Sequence, residues 1–235
     1  MRPFFPFPLP QVAATFLGRP QRFLVEARLE DGTQTLVYCA NPGSFKDCLK
    51  KGSPILLWDS PDATRKKRYT WRAIKIGRYW VGTDTHLANR LVEKALLEKR
   101  LPVFEGYALS QREPRDAKGG KLDFHLTGAK GECFVEVKSA TVVSEDCARF
   151  PDSKTPRGIR HLNQLKAKAK AGHRAILLFL IQRGDVQKFA LNRACDPAFN
   201  RAFDQALAAG VEVLAVKHNV TQRGFSTPLP MPVEF

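Results

Sequence analysis

Apolar and polar residues alternate in short runs over the first third of the chain, which is the signature of strands half-buried in a sheet. The runs are Arg22 to Leu29, Gln34 to Cys39, Pro54 to Trp58, Tyr69 to Ile76 and Arg78 to Val81. Asp31-Gly32 between the first two is a hairpin turn, and Asn41-Pro42-Gly43-Ser44 and Ser60-Pro61-Asp62 are loops. The pattern predicts a small antiparallel barrel over residues 1–82. After Thr83 the period changes. His86 to Arg100 reads as a helix with Leu87, Ala88, Leu91, Val92 and Ala95 on its apolar face and His86, Asn89, Arg90 and Glu93 on another. A second helix, Pro156 to about Ala171, separates Leu162, Leu165 and Ala169 from a stripe of Arg157, His161, Gln164 and Lys168. Ala175 to Ile181 has no polar residue and predicts a strand covered on both faces. Asp196 followed by Pro197 opens a third helix that stops at Gly210, and Val211 to Val216 returns as a strand. Alternating helices and strands make residues 83–235 an α/β unit with a mixed central sheet.

Two strands of this unit carry the candidate chemistry. Lys121-Leu122-Asp123-Phe124-His125-Leu126 and Phe134-Val135-Glu136-Val137-Lys138 flank Gly128-Ala129-Lys130-Gly131. If those four residues form the hairpin loop, Thr127 pairs with Glu132 and Asp123 falls opposite Glu136. Period-two alternation then puts Leu122, Phe124 and Leu126 on one face, and Asp123, Glu136 and Lys138 together on the other. Opposed carboxylates lie roughly 5 Å apart and repel unless a positive group joins them. A divalent cation such as Mg²⁺ or Mn²⁺ fits that need, because Mg²⁺ takes one or two carboxylates together with waters and phosphate oxygens. Asp123 and Glu136 are the expected metal ligands, Lys138 the residue that positions or deprotonates a water, and Glu93 a candidate further carboxylate. The competing interpretation is an ordinary cross-strand ion pair. An acid, any residue, then lysine also occurs at Asp116-Ala117-Lys118 and Asp152-Ser153-Lys154, but the first precedes two glycines and the second lies between prolines.

Composition narrows the partner. With 38 Lys and Arg against 23 Asp and Glu, the formal charge is +15, and both halves share the excess. That balance favours a polyanion, and nucleic acid over lipid, because no basic amphipathic anchor helix is evident. Arg65-Lys66-Lys67-Arg68 runs into Tyr69 and Trp71, which combines phosphate-binding charge with stacking surface. The same run is equally consistent with a solvated loop beside buried aromatics. The basic stripe Arg157, His161, Gln164 and Lys168 is the second expected nucleic-acid contact. Proline breaks the apolar start Met1 to Pro8, which therefore makes neither a signal-peptide core nor a membrane helix. Five unpaired-looking cysteines suggest free thiols in a reducing cytoplasm. No dinucleotide fingerprint, P-loop or zinc-type cluster is present, so no nucleotide or organic cofactor is expected. A homo-oligomer is left open.

The chain resembles the sugar fermentation stimulation protein A family over nearly its whole length. Asn41-Pro42-Gly43, Tyr69-Thr70-Trp71, Ala88-Asn89-Arg90-Leu91, Leu122-Asp123-Phe124, Val135-Glu136-Val137-Lys138-Ser139, Arg149-Phe150-Pro151-Asp152, Arg157-Gly158 with His161-Leu162, and Gly210-Val211-Glu212 carry the resemblance. It implies an N-terminal OB-like barrel and a C-terminal restriction-endonuclease-like, PD-(D/E)XK domain, in a protein that binds DNA without sequence preference. A link to sugar, notably maltose, metabolism is also implied. The nuclease pattern maps onto Asp123, Glu136 and Lys138, with Glu93 as the first-helix acid. Gly120-Lys121 before Asp123 and Ser153-Lys154 after Asp152 depart from the family's usual residues.

Overall fold

The computed structural model describes residues 2–114 and 120–235. The expected loop Asp116-Ala117-Lys118 lies outside the described residues.

Strands β2 (Gln11–Gln21), β3 (Leu24–Leu29), β4 (Gln34–Tyr38), β5 (Pro54–Asp59) and β6 (Tyr69–Ile76) follow a short β1 (Phe5–Pro6). They pair in the order β6-β4-β3-β2-β5, and β5 pairs back onto β6, which closes the barrel. Its interior is filled by Phe16, Val25, Val37, Ile55, Leu57, Trp71 and Ile74. The longest barrel strand, β2, escapes the alternation pattern because Gly18 and Pro20 interrupt it. Its register on β3 shifts between Phe16 and Gly18 and again between Gly18 and Gln21, as bulged strands do. A second bulge matters more. Leu56 pairs with Ala73 and the next residue, Leu57, with Trp71, so Arg72 is the extra residue on β6.

Strand β7 (Tyr79–Gly82) leads into α1 (Leu87–Leu97), whose buried residues are Leu87, Ala88, Leu91, Val92 and Ala95, the face that periodicity picks out. Then come β8 (Tyr107–Arg112), β9 (Phe124–Gly128), β10 (Gly131–Ala140), β11 (Val142–Ser144), β12 (Cys147–Phe150), α2 (Pro156–Lys170), β13 (Arg174–Ile181), β14 (Lys188–Leu191), α3 (Pro197–Ala208) and β15 (Glu212–Lys217). Strands β16 (Val220–Thr221) and β17 (Gly224–Phe225) join the barrel's sheet, with β17 pairing to β1, and β18 (Leu229–Met231) and β19 (Val233–Glu234) end the order. The central sheet runs β18-β15-β13-β10-β9-β8 and is mixed: β10, β13 and β15 are parallel and the flanking pairs antiparallel. A smaller sheet, β11-β12-β14-β19, stands beside it.

Strand β13 shows why a run without polar residues is needed here. Ile176, Leu178 and Leu180 face α1 and the outside of the barrel, while Leu177, Phe179 and Ile181 face α2 and α3. All six are fully buried, each contributing about 1.5–3 kcal/mol of apolar burial. Asp196 does what its position predicts: its Oδ1 accepts from Ala198 and Phe199 N–H, and its Oδ2 accepts from Thr155 N–H. One carboxylate thereby fixes the starts of both α2 and α3. No helix among the described residues is long and apolar enough to cross a membrane, and all five cysteines are free.

Candidate functional site

The hairpin has the register that counting predicts: Gly131 pairs with Gly128, Glu132 with Thr127, and so on to Val135 with Phe124. Asp123, the next position, leaves the ladder. Its backbone N–H still reaches Val135 O at 3.1 Å, but its carboxylate Oδ2 accepts the Val137 N–H at 2.7 Å, in place of a strand partner. Oδ1 accepts from Asn89 Nδ2 at 2.6 Å. The chain turns here, so Leu122 crosses to the α2 side and packs in the cluster with Phe134. The expectation that Leu122 shares a face with Phe124 and Leu126 is therefore corrected: alternation holds only while the strand is straight.

Glu136 is buried on the α2 side of β10. Its Oε1 accepts from Lys138 Nζ at 2.5 Å and from His161 Nδ1, while Oε2 is buried with no hydrogen-bond partner among the described residues. Arg157 Nε donates to His161 Nε2 at 3.3 Å, and Nδ1 faces Glu136. Lys138 Nζ stands 2.9 Å from the same Nδ1. Burial acts to raise the Glu136 carboxyl, but the His161 hydrogen bond and the Lys138 charge outweigh it and hold the group below its ordinary value. Asp123 goes the other way. Burial first, then the Glu136 charge, push it up to about 6, against the bonds from Val137 and Asn89.

The remaining expected residues divide. Asn89 is in the site. Glu93, one turn further along α1, instead pairs with Arg112 Nη1 at 3.2 Å, and no group of three or more His, Cys, Asp or Glu among the described residues is placed to hold a metal. His161 is buried against Glu136, so it positions an acid. Arg157, Gln164 and Lys168 do lie along the same edge of α2. Lys168 Nζ rests 4.0 Å over the Phe134 ring, and Gln164 and Lys168 line a cleft of about 630 Å³ that also takes in Lys121 and His161. In the barrel, Lys66 and Arg68 are exposed, with Arg65, Lys67 and Tyr69 half-buried. Arg68 makes two 2.6 Å bonds to Asp59 and sits over Tyr69. Trp71 is corrected outright. It is fully buried, stacked on Phe16, and its Nε1 donates to Ala73 O at 3.1 Å, so no base can reach it.

A divalent cation suits this donor set. Glu136 Oε2 is an orphaned buried carboxylate oxygen, and each Asp123 oxygen has one donor and a lone pair to spare. Two carboxylates without a third His, Cys, Asp or Glu among the described residues match an ion that keeps its waters, such as Mg²⁺, Mn²⁺ or Ca²⁺, and not the tetrahedral demand of Zn²⁺.

A closed five-stranded OB barrel followed by a restriction-endonuclease-like α/β domain defines the class of protein. Family models agree unit by unit: the SfsA N-terminal OB domain matches residues 17–83, and the sugar fermentation stimulation protein RE domain matches residues 86–224. The chain is 40% identical to the sugar fermentation stimulation protein homolog of Ruegeria sp. (strain TM1040) over 221 residues, 93% of this chain and 95% of that one. It is 41% identical to the homolog of Rhizobium meliloti (strain 1021) over 213 residues, 90% and 89% of the two chains. The structure of Pyrococcus furiosus SfsA in complex with Ca²⁺ is similar at a TM-score of 0.87 and 28% identity, with both chains fully covered. The chain belongs to the sugar fermentation stimulation protein (SfsA) family.

Proposed function

We propose that this protein binds DNA without sequence preference and hydrolyses its phosphodiester backbone at Asp123, Glu136 and Lys138 with a divalent cation. One observation carries the reading: the buried Oε2 of Glu136, without a partner among the described residues, near enough to Asp123 for the charge of one acid to act on the other. The Ca²⁺ complex of the Pyrococcus furiosus relative supports a hard cation as the ligand. When bound, Mg²⁺ or Mn²⁺ supplies positive charge against the scissile phosphate. His161 and Lys138 hold Glu136 by Oε1, which leaves Oε2 for the ion. Asn89 and the Val137 N–H fix Asp123. Lys138, with donors beyond its bond to Glu136, orients the attacking water and meets the charge that grows on the phosphate.

The second reading is a catalytically silent DNA-binding regulator linked to sugar, including maltose, metabolism. It is favoured by one feature, the closure of Lys138, Glu136 and His161 on one another. Incubation of plasmid and single-stranded DNA with Mg²⁺ or Mn²⁺ decides between them. Hydrolysis predicts cleavage that Asp123→Ala and Lys138→Ala each reduce by about a hundredfold or more. Cleavage that is absent, or equal in all three proteins, leaves the regulator. Both readings predict affinity that falls steeply as salt rises.

A further inference from the structure

The barrel carries a groove that the acid site does not use. Tyr38, Trp58, Arg65, Arg72, Asp84 and His86 line about 340 Å³ at the end of β5, under the loop that joins β5 to β6. Trp58 is half-buried and tethered by Nε1 to Leu9 O at 3.3 Å. The guanidinium carbons of Arg65 and Arg72 each lie 5.1 Å from the centre of its ring. The two arginines are held differently. Arg72, aimed by the bulge in β6, is locked to the buried Asp84, whereas the Arg65 side chain donates to the Thr70 hydroxyl at 3.2 Å. Arg72 sits below its ordinary pKa, first through burial, with Arg65 and Arg90 adding to that effect and Asp84 opposing it. The groove is thus a site of crowded positive charge around an aromatic face, and Arg72 Nε is buried there without a partner among the described residues.

One residue of the groove's wall stands near the acids in the chain. His86, on its wall, caps α1, and Asn89, which bonds Asp123, is three residues on, a rise of about 4.5 Å. Arg90 is exposed beside it.

We propose, taking nucleic acid as the ligand as in the function argued for the acid site, that groove and acids form one track for a single strand. An unpaired base stacks on Trp58 in place of Arg65, Arg65 and Arg90 turn to the phosphates, and the backbone passes His86 to reach Asp123. An aromatic face reads only bases freed from a duplex stack, so the preferred substrate is single-stranded nucleic acid or the unpaired end of a duplex.

Affinity is measured in EDTA, so that binding is read apart from cleavage, for an oligothymidylate about a dozen nucleotides long, a duplex of equal length and inorganic polyphosphate. Trp58→Ala should weaken the oligothymidylate about tenfold and the duplex less than about twofold, with Trp58→Phe restoring most of the loss. In wild type the oligonucleotide should quench tryptophan fluorescence, and in Trp58→Phe that quenching should vanish, a readout that holds if the alanine variant folds poorly. Equal loss for single strand and duplex, no loss for either, or polyphosphate competing as well as the oligonucleotide overturns the track while leaving DNA binding intact. If wild type binds no nucleic acid at all, the track and the proposed function fall together. Binding with the expected Trp58 dependence but no cleavage in Mg²⁺ sinks hydrolysis alone.

Discussion

The two ends of the acid site solve the burial of a carboxylate in opposite ways. At the Glu136 end the partners are cationic or proton-donating side chains, Lys138 and His161, and the carboxyl stays below its ordinary pKa although it is almost wholly buried. At the Asp123 end the partners are neutral, the Asn89 amide and the Val137 N–H, and the carboxyl is pushed up to about 6. Among the described residues each acid has two donors. The difference lies in charge, since neutral dipoles do not offset both desolvation and a like charge next door. The site therefore holds one fixed anion and one carboxyl poised near physiological pH, a combination that a cation would even out.

The contrast can be broken first at its stronger end. Glu136→Ala leaves Lys138 and His161 facing each other in a buried space, and should cost about 3–5 kcal/mol in denaturant unfolding. A loss below about 1 kcal/mol would show that the cluster is solvated and the contrast false. The Asp123 end predicts a pH signature. Its proton is held more tightly in the folded chain than at the ordinary value of 3.8, so its contribution to stability is complete below about pH 4 and is lost as pH rises through about 6. Relative to Asp123→Asn, wild type should lose stability across that window, and Mg²⁺ should move the titration midpoint down. In Asn89→Ala the midpoint should rise, with a stability loss of about 1 kcal/mol. A flat difference across pH would count against the raised pKa. The smallest effect belongs to the acid left out of the site: Glu93→Ala removes only its pair with half-exposed Arg112 and should change stability by less than about 0.5 kcal/mol and cation affinity not at all. Loss of cation affinity in that variant would restore Glu93 as a ligand.

Much of this was legible in the residues because alternation is a local property. The hairpin register as far as Phe124, the covered strand β13 and the Asp196 cap all follow from spacing. Where the chain bends, spacing misleads. Leu122 changes face because Asp123 abandons the ladder, and β2 is hidden by the glycine and proline that its bulges accommodate. His161 stands on the predicted polar stripe of α2, but periodicity does not tell which polar face meets a buried acid; its spacing from Arg157 was the available hint. The two tryptophans of β5 and β6 make the same point. Trp71 follows the basic run and looked like stacking surface, yet it points into the barrel, while Trp58, at a strand end, shares a groove with Arg65. Inside and outside of a closed barrel are set by curvature, which no single strand encodes.

The clasp between β1 and β17 sets the order in which the molecule can be completed. Phe5 and Pro6 pair with Phe225 and Gly224, and β16 joins that pair to the barrel through Trp80. On a ribosome β1 must wait, its edge open, until Gly224 and Phe225 have emerged. Contacts this distant along the chain slow folding, and here they tie the barrel's sheet to strands that follow β15 in the chain.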